Sequence, residues 1–332
     1  MTKRLFMICL LSATLFSCLG QENDSTRYAN ANPIKIDRFD KELLAYIDSG
    51  DSSNLIALKN NYAAMLDIFG KGILNQRDIT MPGFFQKLRG YFSEPTLRGL
   101  YGDAVAKYNN VEVIEKSLGR AFAFLNESFP AMQTPRVYMH VSGFNQNVLV
   151  GDSLLSISID KYMGSDYPLY ADFFYETQKR KMTPYFIVPD YIAGWIMSEY
   201  PFSGNERVLL DRIIYEGKIK YIVQKATGIS DIYSLLCYDD KSIKWCEENE
   251  GDLWKAIIER KHLYTPDNVT TSAYFEDAGV IFTGSDVPWS IGTWIGWRIV
   301  DQYMKESGAS IETLMKENDS QKILTGSKYK PF

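Results

Sequence analysis

Apolar residues recur at helical spacing through most of the first half of the chain. Phe39, Leu43, Leu44 and Ile47 share one helical face; Leu55, Leu58, Tyr62, Met65 and Phe69 share a second; Ile114, Leu118, Phe122, Leu125 and Phe129 make a longer third. Steps of three and four stack side chains on one side of a helix, so three amphipathic helices are expected. Pro130 and Pro135 close the third. Residues 81–102 are broken by Pro82, Gly83, Pro95 and Gly99, which predicts a shorter helix with loops.

The pattern changes at Arg136. Val137, Met139 and Val141 alternate with Tyr138 and His140, and the runs 147–150 and 154–159 follow, predicting three short strands with turns at 142–146 and 151–152. Helical spacing then returns over 190–200 and at Leu209, Leu210, Ile213, Ile214, Gly217 and Tyr221. It continues at Leu253, Trp254, Ile257, Ile258 and Lys261, and at Ile291, Ile295, Ile299 and Tyr303. Glycine inside a helix costs about 1 kcal/mol against alanine, so Gly217 points to close packing. Gly292 and Gly296, one turn apart, also let a second backbone approach. With no repeat, low-complexity tract or composition break, the expectation is one mostly helical α+β body with a three-stranded sheet.

The N-terminus stands apart. Lys3 and Arg4 precede an apolar run from Leu5 to Phe16, then Ser17 and Cys18, the layout of a secretory signal. The run is about a dozen residues, whereas a spanning helix needs roughly 20. Leu15, Phe16, Ser17 and Cys18 resemble a bacterial lipobox, whose cysteine becomes the acylated first residue. Residues 1–17 are therefore expected to be a cleaved signal, 18–33 a lipidated flexible tether and 34–332 the folded body, attached to a membrane by lipid alone and working outside the cytoplasm.

An apolar fraction of 45% supports a real core. Formal charge is -5, and losing residues 1–17 removes Lys3 and Arg4 but no acid, leaving -7; this balance argues against nucleic-acid binding. Cys237 and Cys246 are the cysteines of the body. A disulfide between them would close a short loop worth about 3 kcal/mol in an oxidising compartment, and two buried thiols are the alternative.

Few residues carry obvious chemistry. His140 and His262 are the two histidines, and neither a His-Glu-x-x-His pair nor Cys-x-x-Cys occurs, so no ordinary zinc site is expected. A Gly-x-Ser-x-Gly elbow, a Walker loop and a Gly-x-Gly-x-x-Gly turn are also missing. A glycosidase-type carboxylate pair survives this filter, with Glu216, Glu276, Asp277 and Asp286 as candidates and Trp289, Trp294 and Trp297 as sugar platforms.

Several blocks together resemble the GldB family of gliding motility lipoproteins of Bacteroidota. They are Ile36–Asp40; Phe144-Asn145-Gln146; Ile159–Gly164 with Asp166, Pro168 and Tyr170; Trp245–Glu250 with Leu253 and Trp254; Gly292–Met304; and Ser327–Pro331. The resemblance implies a periplasm-facing lipoprotein tied to motility and type IX secretion, with no established enzymatic activity and no cofactor. It also implies a remote, metal-lacking relative of zincin metallopeptidases: a single α+β domain, mostly helical, with helices on both sides of the small sheet. In active zincins a second helix often carries a ligand within Glu-Gly-x-x-x-Tyr, which Glu216, Gly217 and Tyr221 match, while 190–200 contains no histidine.

The expected role is then a non-catalytic envelope component that binds protein partners, with Asp190, Glu216 and Tyr221 marking the old cleft and no catalytic or metal-binding residue. The alternatives are a hydrolase, using Glu216 and Asp190 with His140 or His262 or a carboxylate pair on glycan, and a cell-wall or polysaccharide binder using the three tryptophans.

Overall fold

The computed structural model describes residues 27–76, 78–276 and 286–331; the signal segment, Cys18, Asp277 and the tether before Arg27 lie outside them. Strands β1 (Ile36–Asp37), β2 (Arg136–His140), β3 (Val148–Gly151) and β4 (Leu154–Ser158) form one sheet in the order β1-β2-β4-β3. The first three in that order run parallel, with Ile36 opposite Val137 and His140 opposite Ser158, and β3 returns antiparallel along β4. The sheet thus has four strands, not three. β1 is too short to show alternation, and its partner lies a hundred residues away. Side-chain bonds hold it: Glu115 Oε1 accepts from Ile36 N at 3.0 Å, and Arg136 donates to Asp37 at 2.6 Å.

Successive residues of β2 and β4 are buried. Neighbouring strand residues point to opposite faces, so both faces of the sheet are covered and the alternation in 137–141 does not mark a solvated side.

The labelled helices are α1 (Phe39–Ser49), α2 (Ser52–Gly72), α3 (Phe84–Tyr91), α4 (Pro95–Lys107), α5 (Glu112–Ser128), α6 (Ile187–Glu199), α7 (Leu209–Thr227), α8 (Asp240–Glu259), α9 (Ile291–Ser307), α10 (Ile311–Lys316) and α11 (Ser320–Ser327). Residues 81–102 yield two helices where one was expected, because Glu94 caps the second by accepting from Leu97 N at 2.8 Å and Pro95 takes its first turn, where a missing N–H costs nothing. Helix α8 starts well before Leu253, at the N-cap Asp239, which accepts from Ser242 N.

Against the sheet, α1 packs on β2, α2 on β3, and α6 on β3 and β4, while α7 touches α5, α6, α9, α10 and α11. The buried apolar side chains form one continuous core. From Arg27 onward the expected tether lies against α5: Arg27 and Tyr28 both bond Glu127, and a Cβ at Gly119 would stand 2.3 Å from Asn32 O.

The tightest contact in the molecule is the crossing of α7 and α9. A Cβ at Gly296 would lie 1.7 Å from Ile213 O, and one at Gly217 would lie 2.2 Å from the Gly296 carbonyl carbon. Backbone meets backbone, and neither can move aside. Gly296→Ala is expected to destabilise the protein by about 3 kcal/mol or more, because overpacking must separate two core helices. The exposed Gly99 of α4 has open space around its Cβ position, so Gly99→Ala is expected to add about 0.5 to 1 kcal/mol. Urea unfolding of both variants checks this; equal midpoints would show that the crossing tolerates a methyl group.

Candidate functional site

Five of the six sequence blocks quoted above meet in space at two carboxylates. Buried Asp160 accepts from Ser142 N at 3.2 Å, from Phe144 N at 2.8 Å and from the Ser158 hydroxyl. It fixes the 142–146 turn, in which Phe144 adopts φ 64°. Tyr170 donates to Asp160 O and accepts from Met163 N, and its ring lies 5.4 Å from that of Phe144. At the other carboxylate, Glu250 accepts from Arg298 Nε and from Tyr329 Oη, both at 2.8 Å, with Trp254 edge-on to Tyr329. The C-terminal segment is thereby fastened to α8 and α9.

The sheet-side helix α6 and its neighbour α7 carry the cleft residues. Asp190 stands in the first turn of α6, and its Oδ2 accepts from Tyr162 Oη at 2.7 Å. Glu216 is half-buried on α7. Within electrostatic range of both stands Lys181, whose ammonium lies 4.1 Å from the Trp289 ring centre. Burial pushes the Lys181 amine down to about 8, helped by Lys220, while Asp190, Cys237 and Glu216 oppose the shift. Two of the three expected cleft residues therefore act on one lysine. Tyr221 does not join them: five residues on, it sits about 140° round the helix, with Lys225 over its ring. Lys181 escaped sequence reasoning because Lys179-Arg180-Lys181 reads as a solvated basic run; Tyr162 and Trp289 gave no local signal of a role here.

This donor set does not fit zinc. Both histidines lie elsewhere. His140 is fully buried in β2, with Nδ1 2.8 Å from Ser156 Oγ and its ring edge-on to Phe69; burial pushes it down to about 3. His262 Nδ1 lies 2.9 Å from Tyr274 Oη. Among the described residues no group of three His, Cys, Asp or Glu side chains is arranged to hold a metal ion.

The remaining candidates disperse. Asp286 is exposed and pairs with Lys241 at 2.9 Å, and Glu276 is exposed. Trp294 is 1% exposed, Trp297 donates to Gln224, and Lys181 covers Trp289, so no three-ring platform forms. The disulfide gives way to two free thiols. Cys237 ends the short helix Ile232–Leu236 in the left-handed region and directs Sγ at Arg180 O, 3.5 Å away, whereas Cys246 is buried in α8.

What these features define is a mostly helical α+β protein with a small mixed sheet, in which Asp190 and Glu216 both act electrostatically on a partly buried lysine. The chain belongs to the family described as gliding motility protein GldB, which matches it over residues 21–331. No curated protein and no solved structure matches it. The family name associates the chain with gliding motility and, as a lipoprotein family, with the cell envelope. Among the described residues no helix is long and apolar enough to cross a membrane.

His140 also imposes a pH dependence. Its folded value of about 3 lies below the ordinary 6.5, so above pH 6.5 it contributes no slope. Below that the unfolded chain takes up a proton that the folded protein refuses, and stability falls until about pH 3. Between pH 7 and pH 5 this one group is expected to remove about 2 kcal/mol. Comparing urea unfolding of the protein and His140→Gln at both pH values isolates it; identical losses in the two proteins would exclude His140 as the source.

Proposed function

We propose that this protein is a lipid-anchored, periplasm-facing component of the envelope that serves gliding motility or type IX secretion by binding a protein partner, and that its body is a zincin-like fold without the metal. The make-up of the cleft carries the reading. Glu216 occupies the position that the Glu-Gly-x-x-x-Tyr pattern assigns to a ligand, Asp190 is engaged by Tyr162, and Lys181 lies in the field of both. Zinc sites use three or four protein ligands. Two carboxylates fall short of that number, and Lys181 adds a positive charge to their surroundings.

The packing supports the same reading. Helix α6 lies on β3 and β4 and beside α7, the arrangement in which a peptidase would present its two ligand helices to an edge strand. The helix in the histidine-bearing position buries Tyr191, Ile192, Trp195 and Ile196, and Gly194 packs on Val148 of β3. That surface is given to packing.

Full-length protein purified without chelator is expected to hold no stoichiometric zinc, and Glu216→Ala to leave its metal content unchanged; one zinc per chain that vanishes in the variant would restore the peptidase reading. For the anchor, Cys18→Ser is expected to abolish incorporation of labelled palmitate and to move the protein from the membrane to the soluble fraction. Continued labelling and membrane retention would refute attachment at Cys18.

A further inference from the structure

We propose that the cavity between α7, the 199–204 segment and the α10–α11 corner binds a monocarboxylate with a small apolar or aromatic body. The cavity measures about 280 Å³, room for roughly nine water molecules at liquid density, and so suits a ligand of amino-acid size. It lies on the side of α7 away from Glu216 and does not rest on the partner-binding role above.

Lys218 is the group that selects the ligand. It lines the cavity, is 5% exposed, and donates a single bond, to Glu317 O at 2.5 Å. An ammonium has three N–H donors, and among the described residues no carboxylate lies within 4.0 Å of Lys218. The one hydrogen-bond acceptor is neutral and the Glu317 carboxylate acts only from beyond 4.0 Å, so burial still outweighs it at Lys218; such a charge is costly to maintain, and an anion entering the cavity supplies a direct opposite charge and the missing acceptors. The walls then set the rest of the molecule. Tyr200, Phe202 and Tyr215 give aromatic surface, with the last two rings 5.2 Å apart. Ser203, Asn318 and Ser320 add polar groups.

The surrounding charges argue for one negative charge only. Glu199 and Asp211 share the lining with Lys218 and oppose a dianion such as phosphate, while the other lysine present, Lys316, is tied to Glu312 at 2.7 Å. Carboxylate chemistry has two sources here, a free small acid or the C-terminus of a peptide, and both present the same group to Lys218.

Titration calorimetry of the full-length protein with N-acetylphenylalanine, its amide, inorganic phosphate, and a short peptide ending in phenylalanine with a free or amidated C-terminus tests the assignment. The two acids are expected to bind saturably, the amides and phosphate at least tenfold more weakly. A free acid that binds while the free peptide does not identifies a small-molecule site; the reverse identifies a C-terminus. Lys218→Met is expected to lose at least tenfold in affinity. Ser203→Trp, which fills the cavity and leaves Lys218 intact, should abolish binding, so the test stands even where Lys218→Met does not fold. Burial holds the free Lys218 amine at about 8, with Glu317 opposing the shift, so affinity is expected to be flat between about pH 5, above the ligand carboxyl's own range, and pH 8, and to fall up to tenfold per unit above that. Equal binding of acid and amide, tighter binding of phosphate, an affinity untouched by Ser203→Trp, or no saturable binding of either acid would overturn the proposal.

Discussion

Everything about this fold turns on how α7 is clamped. Gly217 and Gly296 let the backbones of α7 and α9 touch, with Ile213 O against Gly296, and a contact without side chains leaves no freedom of rotation. Successive helical residues diverge by about 100°. Once Gly217 faces α9, Glu216 turns to the α6 cleft and Lys218 to the cavity beside α10. Three consecutive residues thus serve a charged cleft, a helix crossing and a second cavity. α7 reaches α5, α6, α10 and α11 as well, so a rotation there would disturb both polar sites at once.

The periphery is fastened by a few buried or partly buried carboxylates rather than by extra apolar surface. Asp160 organises the turn after β2 through backbone N–H groups, and Glu250 gathers Arg298 and Tyr329 so that the last residues of the chain lie over α8 and α9. Glu115 does the same for the short strand β1. Each is a charge-assisted interaction between segments far apart in sequence, and such bonds are roughly twice as strong as neutral ones. The docking of residues 27–37 on α5 fastens the start of the described chain to the body as well.

Asp190 on α6 and Glu216 on α7 both act electrostatically on the Lys181 ammonium, whose amine burial pushes down. The ammonium can balance Asp190 and Glu216 inside a partly dehydrated space and rest on Trp289. Such an arrangement offsets the like charges that the two helices carry.

The helices and the blocks of the family were legible in the chain because they rest on local periodicity and on runs of residues read in order. Leu118, Phe122 and Leu125, or Ile295 and Ile299, declare a buried face wherever they occur, and Gly217 announced a close approach. β1 stayed hidden because two residues cannot show a period, and its bonds come from Glu115 and Arg136. The burial of both faces of β2 was equally invisible, since only the packed helices decide which side of a strand meets water. Asp190 and Glu216 could be named as candidates from a motif, but Lys181, Tyr162 and the free state of Cys237 depend on the αL turn at 237 and on loops that bring residues 162, 181 and 289 together. Sequence alone settled what is local, namely the helical segments and the family. Tertiary structure alone decided which charges share a space, because an electrostatic environment belongs to the packed chain and to no single stretch of it.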